Sequence, residues 1–368
     1  MVTLDLRSDI ARGYMLLGVF YLHMLFAMLK TVPDPASATA ALLQVKLLAG
    51  HVSVFFFLSG MGARGLGRRR FDTVAVQSIM LVALAALSHV GGFVLNALIY
   101  GPPETLRDIF RALVRPVVYG TGYSTFVAWF FIVLAAVRPL AYLFEYSKLR
   151  FAILAAGIVL LIQLAHVMHF PGNLYEWRNW PYALFFFIVG MRIPRNQDVP
   201  AWLGLSGLSI SLAAAWFNGP DLLNDGLCWT CNADFLPFPI VGSEGFVPLV
   251  VAQEIAFLPF LLWASQLRLI PQLPQIAQWF GKASIQFLLL HGWLIAAFYP
   301  ALVRLFPFPP GPVPYLLTLA LNPIVHAAAF LMLRPMLDRS LAWCFSFSRW
   351  SVQLVTSSLG SRGRIAAS

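Results

Sequence analysis

The stretch VAVQSIMLVALAALSHVGGFVL, residues 74–95, decides the fold class of this chain, because it carries no Asp, Glu, Lys or Arg. The hydrocarbon core of a bilayer is about 30 Å thick, and roughly 20 helical residues cross it. The stretch is both long enough and apolar enough to do so. It therefore predicts a membrane-spanning helix.

Similar stretches recur along the chain, and together they predict a polytopic membrane protein. The sixth is short, which is typical of a half-span or of a tilted segment buried in protein. We predict an all-α fold of about ten transmembrane helices, forming one domain over residues 1–333 that is followed by an interfacial cytoplasmic tail over residues 334–368. The predicted spans are Ile10–Leu29, Val45–Ala63, Val74–Leu95, Ser124–Phe144, Arg150–Met168, Trp180–Ile193, Ala201–Phe217, Gly245–Ser265, Ala283–Val303 and Pro314–Leu333.

The composition of the chain excludes several classes of protein. Of its 368 residues, 60% are hydrophobic and only 11% are charged, and the mean hydropathy is +0.77. Soluble domains are about 45–50% apolar and about 25% charged, and they avoid large exposed apolar patches. A cytosolic enzyme, a secreted disulfide scaffold and a disordered chain are therefore excluded.

The excess of basic residues is explained better by membrane topology than by nucleic-acid binding. The chain has 25 Lys and Arg against 15 Asp and Glu. Cytoplasmic loops carry more Lys and Arg than external loops, and the densest basic cluster, Arg64-Gly-Leu-Gly-Arg68-Arg69-Arg70, directly follows the second predicted span. With this cluster inside the cell, both termini lie in the cytoplasm.

One long outer segment, residues 96–123, contains a regular basic pattern. Arg107, Arg111 and Arg115 follow one another at four-residue spacing. Residues four apart share one face of an α-helix. The segment therefore predicts a short interfacial helix with a basic face.

The first predicted span carries a stripe of polar residues, and ionisable groups inside a span usually have a function. Arg12 and His23 are eleven residues apart, which at about 100° per residue returns them to nearly the same face. They are about 16 Å apart along the axis, and Asp9 lies on the same stripe. Two interpretations remain open. In the first, Arg12 and Asp9 form an interfacial ion pair while His23 bonds a neighbouring helix. In the second, His23 is a catalytic base.

Three short motifs occur in order along the chain. They are Asp9-Ile-Ala-Arg12-Gly13 followed by His23, then Val52-Ser-Val-Phe-Phe-Phe-Leu-Ser59-Gly60, and finally Gly281-Lys282-Ala-Ser284-Ile-Gln-Phe-Leu-Leu-Leu-His291. In their order and separation they resemble the motifs of the acyltransferase-3 family of integral membrane acyltransferases. Trp129-Phe130 fits the family more weakly, and Ile285 and Leu288 stand where the family commonly has tyrosines.

The resemblance implies an acyl-CoA-dependent O-acyltransferase of the bacterial inner membrane. Family members typically move an acyl group, such as acetyl or succinyl, from cytoplasmic acyl-CoA to a hydroxyl of an envelope carbohydrate or lipid-linked glycan. On this basis Arg12, with Asp9, contacts the donor, and His23 is either the catalytic base or a transient acyl carrier. The expected partners are acyl-CoA, the glycan acceptor and membrane lipids, with no nucleic acid.

Further residues are candidates for the same site. Glu254, deep in the eighth predicted span, and His291, in the ninth, are candidate catalytic residues. We predict no metal, because His166 and His169 lack metal-like spacing. Candidate ligands for the donor phosphates are Arg64, Arg68, Arg69 and Arg70, although a topology signal has the same composition.

Candidate substrate-binding residues lie in the second span and towards the outer surface. Tryptophan and arginine suit sugar recognition, but tryptophan is also common at any membrane interface. Ser59-Gly60 also predicts close packing of helices, since small residues let two backbones approach. The substrate-binding candidates are Ser59, Trp129, Trp177 and Arg178.

Two other functions compete with acyl transfer. Cys228-Trp-Thr-Cys231 would suit a quinone-linked thiol oxidoreductase, but the third cysteine, Cys344, is predicted on the opposite side of the membrane, and no second outer pair exists. Alternatively, Arg12, His23 and Glu254 form the pathway of a proton-coupled transporter or flippase for a small metabolite or a lipid-linked glycan. The sequence contains no evident internal repeat of the kind found in many transporters.

Overall fold

The structure is a computed structural model, and it describes residues 6–29, 44, 47, 53–120, 122–125, 127–147, 157, 174–194, 198–217, 247–267, 270–305 and 313–365. Helix makes up 89% of it, and no strand occurs among these residues. The predicted all-α class is therefore confirmed.

Eleven α-helices are formed by the described residues. Short 3-10 turns, Leu66–Arg68 and Leu174–Asn179, precede two of them. The helices are α1 Leu6–Leu29, α2 Ser53–Gly62, α3 Phe71–Tyr100, α4 Leu106–Tyr119, α5 Ala128–Ser147, α6 Trp180–Arg192, α7 Ala201–Phe217, α8 Val247–Ala264, α9 Gln272–Lys282, α10 Ser284–Leu305 and α11 Val313–Ile365.

Three helical segments are long and apolar enough to cross a membrane, which agrees with a membrane protein. Within the described ranges they are Phe71–Tyr100, Ala128–Glu145 and Leu319–Ser357. The other apolar helices are shorter, at 10–17 residues: Ser53–Gly62, Ala201–Phe217, Leu249–Ala264 and Ser284–Ala296.

Several predicted elements lie wholly or largely beyond what the structure describes. They include the fifth predicted span, Arg150–Met168, of which only residue 157 is described, and the first half of the second span. The outer-loop cysteines Cys228 and Cys231 and the histidines His166 and His169 are likewise outside the described residues.

The last helix is longer than the span predicted for it. The sequence predicted a span ending at Leu333, whereas α11 continues to Ile365. Beyond Leu333 one face of the helix stays buried, at Leu337, Cys344 and Ser348, and these seven- and four-residue steps keep that face against the bundle. Helix α11 as a whole packs on α1, α3 and α10.

The predicted basic helix forms as α4. The hydroxyl of Thr105 caps its first turn by accepting a hydrogen bond from the Asp108 N–H at 3.1 Å, and Arg107, Arg111 and Arg115 are all exposed. The helix is attached to α3 through His89.

His89 has a structural role. The Ser124 N–H donates to its Nδ1 at 2.9 Å, so Nε2 carries the hydrogen and donates to the Ala112 carbonyl at 3.0 Å. His89 thereby fastens α4 and the 122–125 segment to α3.

Helix α1 lies against α2, α8, α9, α10 and α11, and its contact with α9 is the closest. A Cβ atom on Gly13 would stand 1.7 Å from the Ala277 carbonyl oxygen, and one on Gly281 would stand 1.7 Å from the Asp9 carbonyl oxygen. Only glycine fits at either position, because the two backbones touch.

Helices α2 and α6 approach each other in the same way. A Cβ on Gly60 would lie 1.9 Å from the Phe187 carbonyl oxygen, and one on Gly190 would lie 2.0 Å from the Phe57 carbonyl oxygen. The close packing predicted at Ser59-Gly60 is therefore confirmed for the glycine.

The contact between α1 and α9 predicts the effect of adding a single methyl group. Gly281→Ala should destabilise the protein by about 1–3 kcal/mol, because the new Cβ meets backbone that cannot move aside. Gly18→Ala is the matched control, since nothing lies within 4 Å of its Cβ position, and it should be neutral or stabilising by about 0.5–1 kcal/mol. Thermal unfolding of the detergent-purified proteins measures both, and equal midpoints for the two variants would contradict the contact.

Candidate functional site

Three histidines from three helices form a continuous hydrogen-bonded chain. His23 Nδ1 of α1 lies 2.8 Å from His291 Nε2 of α10, and His291 Nδ1 lies 2.9 Å from His326 Nε2 of α11. His326 Nδ1 lies 2.8 Å from the carbonyl oxygen of Asn322, one turn earlier in the same helix. We call these residues the histidine chain.

The Asn322 carbonyl sets the direction of every bond in the histidine chain. A carbonyl only accepts, so His326 donates from Nδ1, and in the neutral ring its Nε2 must accept. His291 then donates from Nδ1 and accepts at Nε2, and His23 donates from Nδ1. The lone pair of His23 is therefore on Nε2, which makes Nε2 the basic nitrogen at the end of the chain.

The rings of the histidine chain are held by close packing. Phe20 stacks on His326 with ring centroids 3.6 Å apart and an interplanar angle of 13°, and its centroid is 4.8 Å from that of His291. The Asn322 side-chain amide donates to the Phe20 carbonyl at 2.6 Å. His291 and His326 are fully buried, so the chain is fixed in one arrangement.

A cavity of about 410 Å³ lies beside α1, between α2, α3, α5 and α10. Its lining combines cationic, polar and aromatic side chains. Its polar end comprises Arg12, Ser59, Gln77, Arg138, Lys282 and Ser284, and its apolar part includes Phe55, Phe130, Phe131 and Leu288.

Arg12 is held at the polar end of this cavity by two acceptors. Its Nη1 donates to Asp9 Oδ1 at 3.0 Å, and its Nη2 donates to the Leu58 carbonyl at 3.3 Å. Both contacts of the first interpretation are therefore present, the Arg12–Asp9 ion pair and the bond from His23 to a neighbouring helix, and the ion pair orients the guanidinium beside the cavity.

The cavity and the histidine chain are neighbours along α10. Leu288 lines the cavity, and His291 follows it by three residues, a rise of about 4.5 Å. Arg12 and His23 stand about 16 Å apart along α1. The cationic end of the cavity is therefore distant from the histidines, and its apolar end approaches them.

The other predicted site residues occupy varied positions. Arg64, Arg68, Arg69 and Arg70 are exposed around the Leu66–Arg68 turn, and Arg70 pairs with Asp72 at 2.9 Å. The cluster is thus at the surface, and its proposed role in phosphate binding stays a prediction.

Glu254 and the predicted tryptophans lie apart from the cavity lining. Glu254 is buried beside Tyr182 of α6. Trp129 is buried, with its ring 6.3 Å from that of Phe56, so it packs in the core. Trp177 is half-buried in the Leu174–Asn179 turn, and the side chain of Arg178 lies outside the described part of the molecule.

Sequence reasoning missed four residues of this region: His326, Asn322, Arg138 and Gln77. A signal did exist for the first two, because Asn322 and His326 are four residues apart in the predicted span Pro314–Leu333 and so share a face. Arg138 lies six residues before the end of the predicted span Ser124–Phe144, a position typical of an interfacial residue, whereas its side chain lines the cavity.

Among the described residues, no group of three or more His, Cys, Asp or Glu could hold a metal ion. In the histidine chain itself, the facing nitrogens are engaged with one another. Comparison of the chain with protein-family models, with curated proteins and with solved structures found no match. The site must therefore be interpreted from its own geometry.

The bond directions in the histidine chain predict a specific set of tautomers. In ¹⁵N-histidine-labelled protein, His23, His291 and His326 should all carry the hydrogen on Nδ1, and His23 Nε2 should show the shift of an unprotonated ring nitrogen. The seven histidines are assigned by single His→Gln variants. A hydrogen on His23 Nε2 in the neutral protein would contradict the bond order derived from the Asn322 carbonyl.

Proposed function

We propose that this chain is an integral membrane O-acyltransferase. It takes an acyl group from cytoplasmic acyl-CoA and transfers it to a hydroxyl of an envelope carbohydrate or lipid-linked glycan. The proposal includes about ten transmembrane helices in a bacterial inner membrane, with both termini in the cytoplasm. The observation that carries it is the histidine chain, which begins one helical turn beyond the cavity-lining Leu288 and leaves the lone pair of His23 on Nε2.

The convergence of distant sequence motifs supports the same proposal. Arg12, Ser59 and Ser284, one from each of the three motifs, line a single cavity, and His23 of the first motif bonds His291 of the third. The meeting of these motifs favours the resemblance to the acyltransferase-3 family.

The proposed reaction needs one base that gives back its proton. His23 Nε2 takes the proton of the acceptor hydroxyl while the hydroxyl oxygen attacks the thioester carbonyl carbon. The carbon–sulfur bond then breaks, and the CoA sulfur takes the proton from His23, which yields an ester and free CoA. The same nitrogen would carry the acyl group if the transfer has a covalent intermediate.

His291 and His326 act as positioning residues in this scheme. His23 Nδ1 faces two acceptors, the Val19 carbonyl oxygen at 3.1 Å and His291 Nε2 at 2.8 Å, so both hold its hydrogen on Nδ1, and His291 stabilises the positive ring that forms when Nε2 takes a proton. His326 does the same for His291. Neither residue exchanges a proton with the substrate.

The cavity is the proposed path of the donor. Arg12 contacts the donor at the cytoplasmic end, with Asp9 as its partner, and the pantetheine arm extends towards His23. Arg64, Arg68, Arg69 and Arg70 are proposed to attract the donor phosphates from the surface. Ser59 contacts the arm, and Trp177 and Arg178 meet the acceptor.

The decisive experiment is the transfer of labelled acyl groups from a panel of acyl-CoAs to envelope glycans. Membranes carry wild type, His23→Ala or the control Gly18→Ala at matched abundance. His23→Ala should reduce transfer by at least about 100-fold, since general bases contribute about 10²–10⁴, and the control on the same helix should transfer normally. Normal transfer by His23→Ala would overturn the proposed role of His23 in acyl transfer.

Variants of His326 test whether the chain positions His291. Glutamine can accept the His291 Nδ1 hydrogen through its side-chain oxygen, whereas leucine cannot. His326→Gln should therefore retain most of the transfer activity, and His326→Leu should lose about tenfold or more at equal abundance and thermal stability. Equal losses in the two variants would indicate a packing role instead.

A transporter or flippase is the second candidate. The observation in its favour is that imidazoles linked across three helices can pass protons by exchanging hydrogens. In that case Arg12, His23 and Glu254 contribute to a proton-coupled pathway. Proton-coupled uptake by reconstituted protein, without any acyl donor, is the result that would select it.

A further inference from the structure

The cavity has a second half-buried arginine, and none of the sequence motifs accounts for it. Arg138 of α5 lines the cavity together with Arg12. One of its terminal nitrogens donates to Gln77 Oε1 of α3. Its Nε is buried and has no hydrogen-bond partner among the described residues.

Arg138 also has no carboxylate partner in the described part of the chain. Two described carboxylates border the cavity: Asp9 is engaged by Arg12, and Asp338 accepts from the lining residue Gln286 and pairs with Arg334. The described lining contains Arg12, Arg138 and Lys282 but no Asp or Glu. Buried charge is unfavourable unless it is paired, so the missing negative charge is expected from a ligand.

The arrangement of the lining defines the kind of ligand. Along α5, Arg138 lies seven residues from Phe131, a distance of about 10 Å, and both line the cavity. The cationic end is thus separated from an aromatic end formed by Phe55, Phe130 and Phe131. A ligand that fits both ends has a compact anionic head and a neutral arm about 10 Å long.

A phosphate ester suits this head better than a carboxylate does. Guanidinium groups are planar forks that bind phosphate oxygens in pairs. Here two such groups, held by Asp9 and by Gln77, face one cavity from different helices. A phosphate offers enough oxygens and charge for both.

We infer that Arg138, held by Gln77, forms with Arg12 a two-arginine clamp for a phosphate ester whose neutral arm extends into the aromatic end of the cavity. This inference rests on the proposed function, in which the ligand is the phosphopantetheine portion of acyl-CoA. The clamp assigns Arg138 to donor binding and leaves the histidine chain to the chemistry.

The test compares ligands that differ only in the phosphate. Purified full-length protein in phosphate-free detergent is titrated calorimetrically with 4′-phosphopantetheine and with pantetheine. Arg138→Gln should weaken the binding of phosphopantetheine by about 10- to 100-fold and change the binding of pantetheine less than about twofold. Arg138→Lys, which keeps the charge but loses the fork, should fall between wild type and Arg138→Gln.

Two further variants control for charge and for folding. Arg192→Gln removes an exposed arginine at the end of α6, outside the cavity lining, and should bind both ligands as wild type does. The double variant Arg138→Met with Gln77→Met removes the pair together, so neither partner is left unsatisfied. It should fold and show the same selective loss as Arg138→Gln.

The outcomes distinguish a failure of the two-arginine clamp from a failure of the proposed acyltransferase function. Unchanged affinity in Arg138→Gln, or an equal loss for both ligands, overturns the clamp even where acyl transfer depends on His23. A selective loss of phosphopantetheine binding supports the clamp even where no acyl-CoA is a donor. Competition by phosphatidylglycerol in nanodiscs, at concentrations that displace phosphopantetheine, would assign the phosphate to a lipid headgroup and overturn the donor assignment.

Discussion

The site depends on the backbone contact between α1 and α9, where Gly13 meets Ala277 and Gly281 meets Asp9. This contact fixes the register of two chain segments that are remote in sequence. His23 lies ten residues after Gly13, and His291 lies ten residues after Gly281. The contact is antiparallel, and the chain turns back at Ala283 between α9 and α10, so α10 runs alongside α1 and brings His291 to His23. A bulkier residue at either glycine would displace both ends of the site.

The sequence was sufficient for the fold class and for part of the site, for different physical reasons. Hydropathy predicted helices throughout, because apolar runs without charge have few alternatives in a membrane. The spacing of Arg12 and His23 predicted a shared face, since both lie on one helix. Neither pattern reports which helices touch, so the bond between His23 and His291 could not be derived from spacing.

The residues that sequence reasoning missed are those whose roles depend on tertiary contacts between helices. In the sequence, His326 is one polar residue in an apolar span, and only the folded structure shows its bond to His291. Likewise, Arg138 resembles an interfacial residue in the sequence, and only the folded structure shows its bond to Gln77. Span lengths were also less predictable than helix content. The continuation of α11 to Ile365 depends on a buried face that hydropathy averages do not detect.

The histidine chain ends at the Asn322 carbonyl, and that terminus has a kinetic consequence. An amide carbonyl accepts a hydrogen bond but does not accept the proton itself. A proton therefore cannot pass beyond His326 along the histidine chain. A proton that enters at His23 Nε2 can leave only through the same atom, unless the rings rotate, and the stacked Phe20 opposes rotation. The geometry of the described residues therefore favours return of a proton at His23 Nε2 over its passage along the histidine chain.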